Sequence, residues 1–293
     1  MMNRKMKKWF RKDAAAALLF LLPSGIGFAM FYLIPFGMGV MYSFQDNAVN
    51  GQFVGLTNYR DLMTSDSFRK AAIHTFYFTA LSVPLMIALS LGLALLLNKN
   101  VYLRKGLRTA YVLPLVVPTV SIILIWQVLL DWNGSLNAWL SAFSFERVDW
   151  MKSDAARIAV IVVFMWKNIG YNMILFLAGL QQIPNDYYET AAIEGAGRMR
   201  MFSSITLVYL TPTMFFVVLM SIINSFKVFR ETYLVAGDYP HDSIYMLQHY
   251  MNNMFMSLDI QKLTAAATIM AVCILFIVLA LYAIERRFRQ SME

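Results

Sequence analysis

Charged side chains are scarce in this sequence, since Asp, Glu, Lys and Arg make up 14% of its 293 residues, whereas 59% are apolar or aromatic. Soluble domains carry about 25% charged residues, so this chain cannot cover its surface with polar groups in water. The composition therefore indicates a membrane protein and excludes a soluble enzyme. It also excludes a nucleic-acid-binding protein, despite a formal net charge of +8.

Cysteine and histidine are also rare. The single cysteine, Cys273, lies in an apolar run without a second cysteine to pair with, so the sequence predicts no disulfide framework. The histidines His74, His241 and His249 are too far apart to form a recognisable metal-binding spacing. Because this set also offers no catalytic constellation, an integral membrane enzyme is a weaker hypothesis than a transport protein.

Long apolar runs are what the sequence does have. Each run is long enough to cross about 30 Å of hydrocarbon as a helix of about 20 residues, and a β-barrel would need shorter, alternating segments. We therefore predict an all-α integral membrane protein with six transmembrane helices and expect the first to be kinked or to end near Pro35. The six runs are residues 14–40, 71–97, 108–130, 156–180, 204–226 and 264–284.

Lysine and arginine counts predict the orientation, because these residues are enriched in cytoplasmic connections. With both termini inside, the cytoplasmic segments hold fifteen Lys and Arg residues against nine in the external segments. The predicted domains are a basic segment 1–13, a membrane domain 14–284 and a cytoplasmic tail 285–293. A cleaved signal peptide is the alternative for the N-terminus, but the first apolar run exceeds the usual length of about 7–15 residues.

The most informative connection is residues 183–197, I-P-N-D-Y-Y-E-T-A-A-I-E-G-A-G. Asp186 with Glu189 three residues later predicts a capping box and hence a new helix. Gly195 and Gly197 provide positions where φ can be positive or backbones can pack closely. A solvated loop with an ordinary helix cap is an equally good interpretation of these residues. The small side chains that would let another surface approach are those of Ala191, Ala192 and Ala196.

This connection, about residues 184–203, resembles the EAA loop of ATP-binding-cassette (ABC) importer permeases, with the pattern E-A-A-x-x-x-G, nine residues, then I-x-L-P. Two positions depart from the pattern: Thr190 replaces the first alanine, and Val208 stands where the proline belongs. Without that proline, we expect the second coupling helix to merge into the fifth span. The matching positions are Glu189, Ala191, Gly195, Ile205 and Leu207.

Three further segments resemble the sugar-importer branch of that family. Residues 53–59, F-V-G-L-T-N-Y, are similar to the F-x-G-L-x-N-Y signature of maltose-permease F-type subunits, and residues 126–137 and 225–231 are similar to the exits from the third and fifth spans. The resemblance covers about residues 15–290. It implies the type I ABC importer permease fold with a cytoplasmic EAA coupling loop.

The family resemblance also implies partners. The expected assembly contains a second, G-type permease subunit, two ATP-binding-cassette ATPases and an extracellular or periplasmic solute-binding protein that delivers a sugar. The location is a bacterial cell membrane, and nucleic acid is not an expected partner. This chain lacks a G-x-x-x-x-G-K-[S/T] loop. We therefore expect it to be a non-catalytic subunit without a cofactor, while ATP and Mg²⁺ bind the partner ATPase.

The resemblance assigns two sets of candidate residues. In the substrate path, amides, hydroxyls and aromatic rings suit a sugar, although Asn and Ser within spans often only hydrogen-bond neighbouring helices. The ATPase-coupling residues are Glu189, Ala191, Ala192, Glu194, Gly195 and Ala196. The substrate-path residues are Asn168, Tyr171, Asn172, Asn224, Ser225 and Val228.

Lys167 bears on the substrate class. A cation within a span is usually paired or functional, and a functional one would suit an anionic substrate. Glu231 or a partner subunit could neutralise it, or it could reach the outer boundary of the membrane. Together with Lys227 and Arg230, it leaves room for an anionic saccharide or glycerol phosphate. An ion-coupled secondary transporter is the other alternative, but such proteins need acidic residues near the midplane, and none lies centrally in a predicted span.

Overall fold

The computed structural model describes residues 4–99, 104–237 and 240–290. The predicted terminal segments 1–13 and 285–293 therefore lie partly outside the described residues. Within the described ranges the chain is helical, and the one β contact is an isolated bridge between Gln45 and Phe53. The all-α prediction is confirmed.

Fourteen α-helices follow one another in the described part of the chain, with π-helical turns at Ala29–Leu33 and Phe202–Thr206 and a 3₁₀ turn at Asp242–Ile244. The helices are α1 (Arg4–Phe28), α2 (Ile34–Tyr42), α3 (Thr57–Thr64), α4 (Asp66–Asn98), α5 (Arg104–Val116), α6 (Thr119–Leu130), α7 (Ser135–Ala142), α8 (Ala156–Gln181), α9 (Asn185–Ile193), α10 (Arg198–Met201), α11 (Leu207–Phe226), α12 (Phe229–Ala236), α13 (Leu247–Met256) and α14 (Ile260–Gln290).

Six stretches of the described chain are long and apolar enough to cross a membrane, which confirms the predicted number of spans. Five of them overlap the predicted runs closely, and the third differs. They are Ala16–Tyr42, Asp66–Asn98, Thr119–Ala142, Ala156–Gln181, Arg198–Tyr233 and Ile260–Arg287.

The predicted third span, 108–130, is broken in the structure. α5 ends at Val116, and α6 begins at Thr119 with Pro118 as its N-cap. A proline has no N–H to donate and disfavours the helical conformation of the residue before it, so the helix cannot continue through Val117 and Pro118. By length and composition, the stretch that qualifies as the third span is Thr119–Ala142, which takes in α6 and α7.

The first span continues past Pro35 to Tyr42. Of the two expectations for it, the end near Pro35 is wrong and the kink stays a prediction. Pro35 lies in the first turn of α2, and because it has no N–H it cannot donate a hydrogen bond to a carbonyl of the preceding turn. The irregularity precedes it as the π-turn Ala29–Leu33, in which the N–H of Ile34 donates to the carbonyl of Ala29.

The chain divides into two compact units, one formed by the residues up to Met63 with Met254–Ile269 and one by Thr64–Asn253 with the residues from Met270 onward. The second unit contains the cavity and the α9 connection described below. Its core is built around α8, which packs against α4, α5 and α11. Gly170 allows α8 to approach α5, since a Cβ there would lie 1.8 Å from the carbonyl oxygen of Tyr111.

Candidate functional site

A cavity of about 390 Å³ lies among α8, the end of α11, α12 and α13. Two of the six predicted substrate-path residues, Asn168 and Asn224, line this cavity. Asn168 is held by its own helix, because its Nδ2 donates to the carbonyl of Phe164 at 2.8 Å. The full lining is Phe164, Lys167, Asn168, Asn224, Lys227, Phe229, Arg230, Glu231 and Gln248.

The other four predicted path residues lie outside this lining. Asn172 is buried and donates to Ser221 Oγ at 2.8 Å, which ties α8 to α11. Ser225 is buried and pairs with Thr79 Oγ1 at 2.9 Å, which ties α11 to α4. Val228 is in the hydrophobic core, and Tyr171 is half-buried on α8. The contacts of Asn172, Ser225 and Val228 are those of helix packing. A role in the path stays a prediction for all four residues.

Lys167 and Glu231 form an ion pair at the cavity wall. The two side chains are only 18% and 10% exposed, and Lys167 Nζ also donates to Thr119 Oγ1 at 3.2 Å. Of the alternatives left open for Lys167, the structure therefore shows neutralisation by Glu231. The pair joins α8 to α12, and Thr119 adds α6.

Gln248 also lines the cavity, although it was not among the residues predicted from the sequence. It reaches the cavity from α13, a short helix outside the six apolar runs. Asn168 and Gln248 are 80 positions apart in the sequence, and no spacing or motif connects them. Only the path of the chain from α12 back to α13 brings them to one cavity.

The predicted coupling residues lie on and after α9. Among the six, Glu189, Ala192, Glu194 and Gly195 are exposed, whereas Ala191 and Ala196 are half-buried. With residues of α10 and the following π-turn, three of them line a groove of about 330 Å³. Its lining is Ala191, Glu194, Ala196, Arg200, Met201, Ser204 and Ile205.

Gly195 ends α9 in a Schellman motif, in which a residue with positive φ reverses the chain. Its φ is +79°. The N–H of Ala196 donates to the carbonyl of Ala191 at 2.9 Å, and that of Gly195 donates to the carbonyl of Ala192 at 3.1 Å. Gly197 differs, since its φ is −71°, so Gly195 alone needs the freedom of glycine.

The predicted capping box at Asp186 and Glu189 is wrong. The N-cap of α9 is Pro184, and no side chain caps the helix. The helix begins one residue before Asp186, which leaves this acid inside the first turn. At this position its negative charge still interacts favourably with the positive end of the helix dipole.

α9 is fixed to the base of the fifth span by two tyrosines. Tyr188 Oη pairs with Thr206 Oγ1 at 2.9 Å, and the ring of Tyr187 lies 5.1 Å from that of Tyr209. α10, the π-turn Phe202–Thr206 and α11 follow without interruption, so the second coupling helix merges into the fifth span as expected.

Comparison with known proteins identifies the class to which this fold belongs. Residues 85–292 match the family described as "Binding-protein-dependent transport system inner membrane component". The match covers well over half of the chain, and the chain belongs to this family.

Similar proteins include transport permeases and one importer of known structure. The chain is 33% identical to the arabinooligosaccharides transport system permease protein AraP of Bacillus subtilis (strain 168), over 77% of this chain and 74% of AraP. It is 31% identical to the trehalose/maltose transport system permease protein MalF of Thermococcus litoralis, over 81% of this chain and 82% of MalF.

The structural similarity extends over nearly the whole chain. A chain of a bacterial ABC transporter that imports the acidic polysaccharide alginate matches with a TM-score of 0.82 at 26% identity, over 97% of this chain and 99% of that one. A chain of the alginate transporter in complex with its pentasaccharide-bound periplasmic protein matches with a TM-score of 0.80, also at 26% identity, over 97% of this chain and 98% of that one. The fold is therefore that of a type I ABC importer permease.

Proposed function

We propose that this chain is a permease subunit of an ATP-driven importer that takes a sugar or oligosaccharide from a solute-binding protein. AraP and MalF support the substrate class by their names. The alginate transporter, with its periplasmic protein, supports the mode of delivery. The observation that carries the proposal is the connection of the exposed helix α9, through α11, to the cavity.

The contacts between α9 and the fifth span explain how an ATPase could move the helix that contributes to the cavity. Because Tyr187 and Tyr188 fix α9 to the base of the fifth span, a push on α9 is transmitted to α11 rather than absorbed by a loose loop. The other end of α11 supplies Asn224 to the cavity. A rigid-body displacement of this kind turns ATPase closure into alternating access.

The remaining partners follow from the same proposal. Two ATPase subunits bind ATP and Mg²⁺ and receive α9 through Glu189, Ala191, Ala192, Glu194, Gly195 and Ala196. A G-type permease supplies the other half of the translocation path. α9 and both termini then lie in the cytoplasm, and this chain performs no catalysis of its own.

The test is purification of the tagged chain from its host in mild detergent, followed by reconstitution with its binding protein in proteoliposomes. We expect a second permease and an ATPase to co-purify, and uptake of oligosaccharide to require both ATP on the cytoplasmic side and the binding protein. A control assembly carries an ATPase without its P-loop lysine. Uptake driven by a proton or sodium gradient in that control would contradict the proposal.

A further inference from the structure

We propose that the cavity among α8, α11, α12 and α13 selects an acidic saccharide, and that Lys227 and Arg230 supply the attraction while Lys167 does not. This inference rests on the proposed function as a sugar importer and names the substrate class of that site. It separates three cations that the sequence alone presents as equivalent.

The cavity lining carries a net positive charge. The lining contains three cations and one carboxylate, Glu231. The carboxylate pairs with Lys167, and both side chains are largely buried, so these two charges cancel. Lys227 and Arg230 are exposed, and neither forms an ion pair with another residue in the described ranges. Among the described residues, the lining therefore presents two positive charges, those of Lys227 and Arg230, without an ionic partner.

The neutral groups of the cavity lining suit the hydroxyls of a sugar. Asn168, Asn224 and Gln248 bring amide donors and acceptors to the same cavity. Arginine binds a carboxylate through two parallel N–H donors, and lysine binds it as a point charge. A cleft of one charge sign raises the local concentration of ligands of the opposite sign. A sugar with carboxylate groups neutralises the two charges and uses the amides, whereas a neutral sugar only accepts hydrogen bonds from the two cations and leaves their charges without a counter-charge.

The sign of the potential in the cavity can be measured without knowing the substrate. The native cysteine is replaced (Cys273→Ser), a reporter thiol is placed in the lining (Asn224→Cys), and the importer is assembled in membrane vesicles. The reaction rates of the anionic 2-sulfonatoethyl and the cationic 2-trimethylammonioethyl methanethiosulfonates are then compared, each relative to its rate with 2-mercaptoethanol.

We expect about a tenfold preference for the anionic reagent at low salt, because two unit charges a few ångströms away attract an anion even through water. The preference should decline as salt screens the charges. It should fall towards one in the variant Lys227→Gln/Arg230→Gln. It should persist in the matched control Lys167→Met/Glu231→Leu, which removes one cation and one anion together.

Equal relative rates in the parent would overturn the proposal, and so would a preference that survives in Lys227→Gln/Arg230→Gln. No reaction with either reagent would also overturn it, since residue 224 would then not face a water-filled path. These rates do not depend on transport. ATP-driven uptake of a neutral oligosaccharide at equal speed in the parent and in Lys227→Gln/Arg230→Gln would overturn the acidic-substrate proposal and leave the proposed function standing.

Discussion

At the scale of single residues, the ion pair of Lys167 and Glu231 shows how the chain holds a charge within a span. Removing two charges from water is costly, and their attraction offsets that cost only while both partners and their hydrogen bonds are in place. Thr119 supplies one of these bonds. The pair is therefore sensitive to loss of one partner and tolerant of loss of both.

We predict that Lys167→Met destabilises the assembled importer by about 3–5 kcal/mol, because it leaves a carboxylate buried without its partner. The double variant Lys167→Met/Glu231→Leu should recover most of that loss. The measurement is the midpoint of thermal denaturation of the purified importer.

The control for this experiment is the exposed pair of Lys70 and Asp242, whose side chains are 60% and 78% exposed. Since exposed pairs contribute about 0–1 kcal/mol, Lys70→Ala should leave the midpoint nearly unchanged. If Lys70→Ala lowers the denaturation midpoint as much as Lys167→Met does, burial of the pair Lys167–Glu231 has no energetic consequence.

His249 is a second residue whose behaviour follows from burial. Its ring is fully buried against Phe229, with 4.9 Å between ring centroids, and Nε2 has no hydrogen-bond partner in the described part of the chain. Desolvation lowers the pKa of His249 to about 4. The imidazole is therefore neutral in the folded protein at pH values where an unfolded histidine is protonated.

The sign of the resulting pH dependence is fixed by that pKa. Between about pH 6.5, where an unfolded histidine titrates, and about pH 4, the unfolded state binds the extra proton. The free energy of unfolding therefore decreases as pH falls through this window. We predict a shallower decrease in His249→Gln, measured as the denaturation midpoint of the importer between pH 4 and 7. Identical slopes would contradict the assignment.

At the scale of elements, α9 depends on one glycine. The Schellman motif at its end needs a positive φ at Gly195, and an L-residue with a Cβ pays about 1–2 kcal/mol for that conformation. We predict that Gly195→Ala frays the end of α9 and lowers binding-protein-stimulated ATPase activity several-fold. Gly197→Ala is the matched control, because φ is −71° there and open space surrounds the position. Similar losses in both variants would contradict this role of Gly195.

The segment 53–59 also acquires a physical explanation at this scale. Asn58 Nδ2 donates to the carbonyls of Ser43 and Gln45 at 3.0 and 2.8 Å, and the hydroxyl of Tyr59 pairs with Ser43 Oγ at 2.6 Å. Gly55 adopts a φ of +61°. The residues that carry the resemblance therefore fix the connection after the first span.

Not every element could be predicted from the sequence. Continuous apolar runs indicate spans reliably, because a helix in lipid satisfies its own backbone hydrogen bonds. Hydropathy is insensitive to hydrogen-bond geometry, so it missed the break before Pro118 and the π-turn before Pro35. The N-cap of α9 was misplaced by two residues, because Pro184 can precede a helix as readily as Asp186 can cap one.

At the scale of the whole molecule, the family was predictable and the lining of the cavity was predictable only in part, at Asn168 and Asn224. Glu189, Ala191 and Gly195 carry a local pattern that a sequence displays directly. The cavity depends instead on how helices pack, and the contacts of Asn172 and Ser225 with other helices cannot be distinguished from substrate contacts in a sequence. Gln248 lies on a helix that no hydropathy signal marks.

In the proposed importer, α9 is the element that contacts the ATPase. The most direct measurement replaces Glu189 by the photo-cross-linking amino acid benzoylphenylalanine in the assembled importer and identifies the adduct by mass spectrometry. With α9 and both termini in the cytoplasm as proposed, α7 lies at the external end of the third span, and the control replaces Trp139, an exposed residue of α7. We predict an adduct with the ATPase at position 189 and none at position 139. An ATPase adduct at position 139, or its absence at position 189 in an intact complex, would contradict the account.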